Sequence, residues 1–194
     1  DKQLRETLQF EITNLVHELG ISTVYVTHDQ TEALTMSDRV AVFDDGVIQQ
    51  LDAPDTLYES PQNSFVAQFI GENNTLAGTV ESISGDSAVV RLDNGDLINT
   101  IPVNIEKPGD RTLVSIRPER VEVSRERLTP DAHTLKARVK EFIYMGDIYR
   151  TRISVAGNDD FIIKTRNAPD VQRLKRGDII EIGWRAQDCR ALDL

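Results

Sequence analysis

Ile21-Ser22-Thr23-Val24-Tyr25-Val26-Thr27-His28-Asp29-Gln30-Thr31-Glu32 sets the architecture of the first part of the chain. Apart from Ser22, residues 21–26 are β-branched or aromatic, which predicts a strand. Without clean alternation, such a run suits a strand buried on both faces, as in a parallel sheet. Asp29 is a helix cap with Glu32 three residues on, so a capping box and a helix over residues 30–36 are expected. His28 then sits where a buried strand ends and a helix starts. In open α/β sheets that edge is where ligands bind. A loop histidine that satisfies a local hydrogen bond is the other reading of His28.

The neighbouring segments extend this pattern. Leu4, Leu8, Ile12, Leu15 and Leu19 recur at helical spacing, and Gly20 comes next as a stop. Arg39–Phe43 reads as a second buried strand. Asp45-Gly46 is a hairpin signal, after which Val47–Leu51 returns. Pro54 opens a short helix at its first turn, and Phe65, Val66, Phe69 and Ile70 mark another, closed by Gly71.

After Gly71 the texture becomes short apolar runs between turns. Strands are expected at 76–83, 88–92, 113–116, 121–123, 135–144, 149–155, 161–164 and 179–184. Gly85, Gly95, Gly109, Gly146 and Gly177 each precede an aspartate, a pairing that suits turns. Strands at this spacing predict a small all-β barrel or sandwich.

Charge divides at the same place. Residues 1–75 hold 3 basic and 13 acidic residues, and residues 76–194 hold 19 of each, so the net charge of −10 resides in the first part. Neither part is basic, so binding to nucleic-acid phosphates has little support. The apolar fraction of 39% is too high for a disordered chain, and no run reaches membrane-spanning length. The charged first residues do not form a secretory signal. A lone Cys189 excludes an internal disulfide and reads as a small buried apolar residue.

Thr23–Ala33 closely resembles the switch-histidine segment of ABC transporter ATPase subunits. Met36-Ser37-Asp38-Arg39-Val40, Asp45–Gln50, Pro54, Leu57-Tyr58, Pro61 and Phe65–Gly71 resemble the segments C-terminal to it in that family. Asp1 and Leu4-Arg5 match the end of the family's D-loop. Ser115-Ile116-Arg117-Pro118-Glu119 and Tyr144-Met145-Gly146-Asp147 resemble marks of the appended TOBE domain of importer ATPases. The resemblance implies an α/β fragment, the C-terminal part of a P-loop NTPase ABC domain, over 1–72. An all-β OB-like barrel is implied over 73–194.

For function, the resemblance implies roles for single residues. His28 would contact the γ-phosphate and position the attacking water, and Asp1 would communicate across an ATP sandwich. A phosphate-cradling P-loop is missing: none of the eleven glycines precedes a lysine, and no two are adjacent. The expectation is therefore the C-terminal portion of a longer subunit, inactive alone. ATP and Mg2+ would bind only in the intact subunit. The implied partners are a second copy, permease subunits and a periplasmic solute-binding protein, with the subunit peripheral on the cytoplasmic face of a bacterial inner membrane. The junction at 69–74 looks most like the spermidine/putrescine branch, with sugar, iron or phosphonate as alternative substrates. A different class of reading is a regulatory β module that senses a solute or mediates dimerisation without catalysis. Arg117 and Glu119 are its candidate regulatory residues, against an internal ion pair at a strand break.

The remaining candidates are weaker. His17 belongs on a solvated helix face, and His133 lies in an apparent loop. One cysteine and three scattered histidines predict no transition-metal site. Asp44-Asp45 and Asp159-Asp160 read as turn residues, and Tyr144, Tyr149 and Trp184 as core or interface.

Overall fold

The structure, a computed structural model, describes residues 2–124, 133–169, 171 and 173–194. It divides into two compact units, residues 1–71 and 72–194.

The first unit opens with α1 (Lys2–Leu19), free of glycine and proline. Gly20, at φ +63°, ends it in a Schellman arrangement: Gly20 N–H donates to His17 O and Ile21 N–H to Val16 O. Next come α2 (Gln30–Met36), β1 (Val40–Asp44), β2 (Val47–Asp52), α3 (Pro54–Glu59) and α4 (Ser64–Phe69). β1 and β2 pair antiparallel around Asp45 (φ +48°) and Gly46 (φ +80°), the two positive φ values of the tight hairpin turn expected there. Asn63 caps α4 by accepting the Val66 N–H at 2.8 Å. Val42, Leu57, Val66 and Ile70 form the small core, with Leu34, Val40, Tyr58 and Phe65 packed on it.

Two expectations for this unit are corrected. Residues 21–26 form no strand; they carry no ladder, and Val24 and Val26 are 93% and 90% exposed. A strand exists only through its neighbours, and among the described residues this run has none. Val40–Phe43 is a strand, but it is not buried on both faces: its ladder partner is β2, and Phe43 lies exposed. The two-stranded antiparallel hairpin replaces the expected parallel sheet. The apolar stripe of α1 is likewise exposed along its whole length.

The second unit is all β. Its strands are β3 (Asn74–Ser84), β4 (Ser87–Leu92), β5 (Leu97–Pro102), β6 (Arg111–Ile116), β7 (Glu122–Ser124), β8 (His133–Tyr144), β9 (Ile148–Val155), β10 (Asn158–Arg166), β11 (Ile179–Trp184) and β12 (Cys189–Leu192). Five of them close a barrel in the order β12-β5-β4-β3-β6, and five form an open sheet in the order β10-β9-β8-β11-β7. The all-β, OB-like expectation is met by this closed five-stranded barrel.

Long β3 belongs to two ladders, with β4 and with β6, and bends at a register shift between Val80 and Ser82. At Gly78 the neighbouring strand comes so close that a Cβ would lie 2.6 Å from Arg91 O and 2.7 Å from Val90 Cγ1. Only glycine fits there. Barrel and sheet share one core, in which Leu76, Val90, Ile98, Val114 and Ile116 meet Val139, Ile153, Phe161, Ile163, Ile182 and Trp184. Asn74 ties the two layers: its Nδ2 donates to Ile162 O at 2.7 Å, and its Oδ1 accepts the Ile162 N–H at 2.7 Å.

Sequence reading missed β5 and β12. β5 alternates Ile98 and Thr100 inward against exposed Leu97 and Asn99, so its apolar signal is broken. β12 has only four residues. It pairs antiparallel with β6 but parallel with β5, at Arg190↔Ile101 and Ala191↔Pro102. Two further expectations change. His133 is the first residue of β8, not a loop residue, and Tyr144, expected in core or interface, is exposed. Tyr149 and Trp184 are buried as expected.

Candidate functional site

In the first unit the side chains around His28 build a fixed bend. Asp29 caps α2, its Oδ1 accepting from Thr31 N–H at 2.9 Å and Glu32 N–H at 3.3 Å. Its other oxygen accepts from Arg5 of α1 at 3.0 Å. The capping box closes differently from expectation. The Asp29 N–H donates to Thr27 Oγ1 at 2.9 Å, and the Thr27 hydroxyl donates to Glu32 Oε2 at 2.7 Å. Glu32 thus reaches the backbone through Thr27, and it also accepts from the Tyr25 hydroxyl at 3.0 Å.

These bonds shift both titrating groups. The Thr27 and Tyr25 hydroxyls hold the Glu32 carboxyl below the usual range, and the hydrogen bond to Glu32 holds the Tyr25 phenol up. Gln30 closes the far side: its Oε1 accepts the Gly71 N–H at 2.7 Å. Gly71 has φ +75°, and a Cβ there would lie 2.7 Å from Tyr58 Cε2, so glycine is required. Thr27, Asp29 and Gln30 are therefore all anchored, while His28 between them is exposed. Its ring makes no hydrogen bond or ion pair with any described residue, so a local satisfying bond does not account for it. A donor on a rigid bend, open to solvent, suits contact with an incoming anion. Asp1 lies outside the described residues.

In the second unit the polar corner is built on Glu72. Arg150 of β9 donates to Glu72 Oε1, and Lys164 of β10 pairs with Oε2 at 2.9 Å. Partial burial alone would push the Glu72 carboxyl up, but these two cations outweigh it and hold it below its usual range. Arg117, 5% exposed at the end of β6, donates to Glu72 O at 3.3 Å. Ser115 donates to Asn73 Oδ1 at 2.9 Å. Pro118–Arg120 is a short 3-10 turn that presents Glu119 outward. Arg117 and Glu119 are thus near neighbours in the chain with opposite exposure. Sequence reading did not find Arg150, Lys164 or Asn74 here. Each is bonded to a residue 78 or more positions away, and no spacing rule connects such pairs.

No group of three or more candidate metal ligands occurs among the described residues. No described helix is long and apolar enough to cross a membrane. Cys189 is buried, and burial pushes its thiol up to about 11.

Residues 114–192 match the family model of the TOBE domain. That span runs from β6 to β12, so β3, β4 and β5 complete the barrel from outside it. The spermidine/putrescine import ATP-binding protein PotA of Rubrobacter xylanophilus is 38% identical over 99% of this chain and 50% of its own length. Those of Chromobacterium violaceum and Thermobifida fusca are 40% and 37% identical, over 95% and 99% of this chain and 52% and 50% of theirs. The chain carries a TOBE domain and is similar over nearly its whole length to these import ATP-binding proteins. It spans about half the length of the curated relatives it matches. The molybdate-bound structure of the cytoplasmic molybdate-binding protein ModG superposes with a TM-score of 0.54 at 14% identity. It covers 62% of this chain and 96% of its own, which establishes a shared β fold and nothing about ligands. The bend at His28 lies outside the TOBE match.

Proposed function

We propose that this chain is the TOBE-bearing portion of an ATPase subunit that energises import of a polyamine, spermidine or putrescine. The alignment of the PotA proteins over nearly the whole chain carries this reading. Residues 1–72 would belong to the P-loop ATPase domain and 73–194 to the TOBE module. The intact subunit would work as a homodimer with Asp1 near the partner. It would sit at the cytoplasmic face of the membrane beside permease subunits and a solute-binding protein.

Within that reading His28 is the catalytic residue. Its exposed ring on a braced bend would donate to the terminal phosphate of ATP and orient the attacking water. Phosphoryl transfer depends on positioning and charge stabilisation, so one preorganised donor carries weight. ATP and magnesium would be held by residues that this chain does not supply, since it has no glycine-rich loop ending in lysine. The chain alone would not hydrolyse ATP. Glu119 would face a regulatory partner or solute from its 3-10 turn, with Arg117 as the anchor beneath it.

The test uses His28→Ala in a full-length subunit containing this chain. Turnover falls by about two to three orders of magnitude with little change in nucleotide affinity, because the lost contact is made to transition-state charge. Near-normal kcat in that variant would refute the assignment. Micromolar binding of ATP–magnesium to the 194-residue chain by calorimetry would refute its predicted inactivity.

A further inference from the structure

The weakest closure in the barrel is the meeting of β5 with β12. β5 pairs with β4 over four residues on one side, but it meets β12 only at Ile101 and Pro102. Two residues before that short ladder, Asn99 is held by side chains instead. Its N–H donates to Nε2 of His133 at 2.8 Å, and its C=O accepts the Cys189 thiol at 3.2 Å, a proton shared with Ala186 O at 3.4 Å. His133 opens β8 in the companion sheet, so this bond fastens barrel to sheet across 34 residues of chain.

Each side chain performs this role in one protonation state. Nε2 accepts only while it is bare, and the thiol donates only while it keeps its proton. Cys189 keeps it: burial pushes the thiol up to about 11. Histidine is the member that titrates near neutrality.

We propose that His133 and Asn99 form an acid-released clasp on the barrel seam. Protonation of Nε2 removes the acceptor, sets one donor against another and frees the β5 edge while the shared core stays folded. The freed edge would present unpaired backbone groups to another strand.

The surroundings leave His133 in control. β5 carries no ionisable side chain. Arg185 and Asp188, which precede β12, pair with each other at 2.7 Å. The other ionisable neighbours on the packed strands are Arg190 on β12, Glu181 on β11 with Lys136 opposite it on β8, Glu122 on β7 opposite Gly183, and Arg91 on β4, which pairs with Glu81. Burial, rather than any described charge, pushes the imidazole below its ordinary value. The sign comes from linkage. The clasp is complete above the ordinary histidine value and is lost as pH falls through the lower, folded-state value.

The experiment is nuclear magnetic resonance on the full chain between about pH 8 and pH 5, the range in which histidine titrates. It tracks the His133 ring nitrogens and amide exchange, corrected for intrinsic rate. Protection of the Asn99 amide should fall about tenfold, the equivalent of one net hydrogen bond, with the midpoint of His133 protonation. The Ile153 and Ile163 amides should stay protected. His133→Gln, which accepts but does not titrate, should keep Asn99 protected throughout. Asn99 protection that does not track His133, or loss at Ile153 with the same midpoint, would overturn the proposal. Should His133→Gln not fold, the two wild-type midpoints decide alone.

Discussion

Asn74→Ala should be among the most destabilising single changes in the second unit. Asn74 is 3% exposed, and its carboxamide does for Ile162 what a ladder strand would do, with both bonds at 2.7 Å. Ile162 itself is 6% exposed, on β10 at the edge of the open sheet. Truncation leaves a buried N–H and a buried C=O without partners, each costing about 1–3 kcal/mol. The pair together should cost about 2–5 kcal/mol, allowing for some water entry. For a unit of about 120 residues this is roughly 8–20 °C in Tm. Urea unfolding monitored by tryptophan fluorescence suits the assay, since Trp184 is 2% exposed and stacks near Phe161. The midpoint should fall with the slope unchanged. Asn74→Asp adds a control. An ionised carboxylate still accepts the N–H but faces the C=O with no proton, so the loss should persist near neutrality and shrink in acid as the carboxyl becomes a donor. A loss below about 0.5 kcal/mol for Asn74→Ala would refute the view that this amide joins barrel to sheet.

Two further outcomes are expected. Glu72→Gln should lower stability at neutral pH by roughly 1 kcal/mol after allowance for solvent screening, since Arg150 and Lys164 lose their carboxylate. Because Glu72 is held below its ordinary value, its contribution is present above that value and fades as pH falls through the lower one; wild type and variant melts should converge there, and parallel curves would contradict the pairing. The homodimer should be detectable with this chain, since Leu4, Leu8, Ile12, Leu15 and Leu19 are all 47% exposed or more. It should strengthen with salt, because the net charge of −10 resides in that part; a monomer by sedimentation at high concentration and high salt would count against it.

Local chemistry made some of this visible in the sequence. Asp45-Gly46, Pro54 and the Asp29 cap specify their conformations from adjacent residues alone, and the hairpin, α3 and α2 lie where those residues place them. Most strands of the second unit were legible for the same reason, their apolar runs being bounded by Gly-Asp turns. Residues 21–26 mark the opposite case. Their composition favours burial, and burial depends on neighbours that local sequence does not contain. β5 and β12 were illegible because one is interrupted by polar Asn99 and Thr100 and the other is four residues long. The Glu72 corner and the Asn74 bridge join residues 78 and 88 positions apart, where composition carries no signal. His28 was legible only as a motif. The structure adds that its flanking residues are braced while it is exposed.

The two units differ in how their apolar residues are satisfied. In the second, large side chains such as Trp184, Phe161, Ile153 and Ile163 are fully buried in a core shared by barrel and sheet. In the first, four residues make the core, while Phe10, Val24, Val26 and the α1 stripe face outward. At roughly 25 cal/mol per Å2 of apolar surface removed from water, a unit that leaves such a stripe exposed forgoes much of its stabilisation. Fixed geometry there must come from polar bonds, and it does: Asp29, Thr27, Glu32, Tyr25, Arg5 and Gln30 hold the bend around His28 almost entirely by hydrogen bonds. The bend is therefore held by bonds between named side chains, whereas the β unit is held by its packed core and the Asn74 bridge.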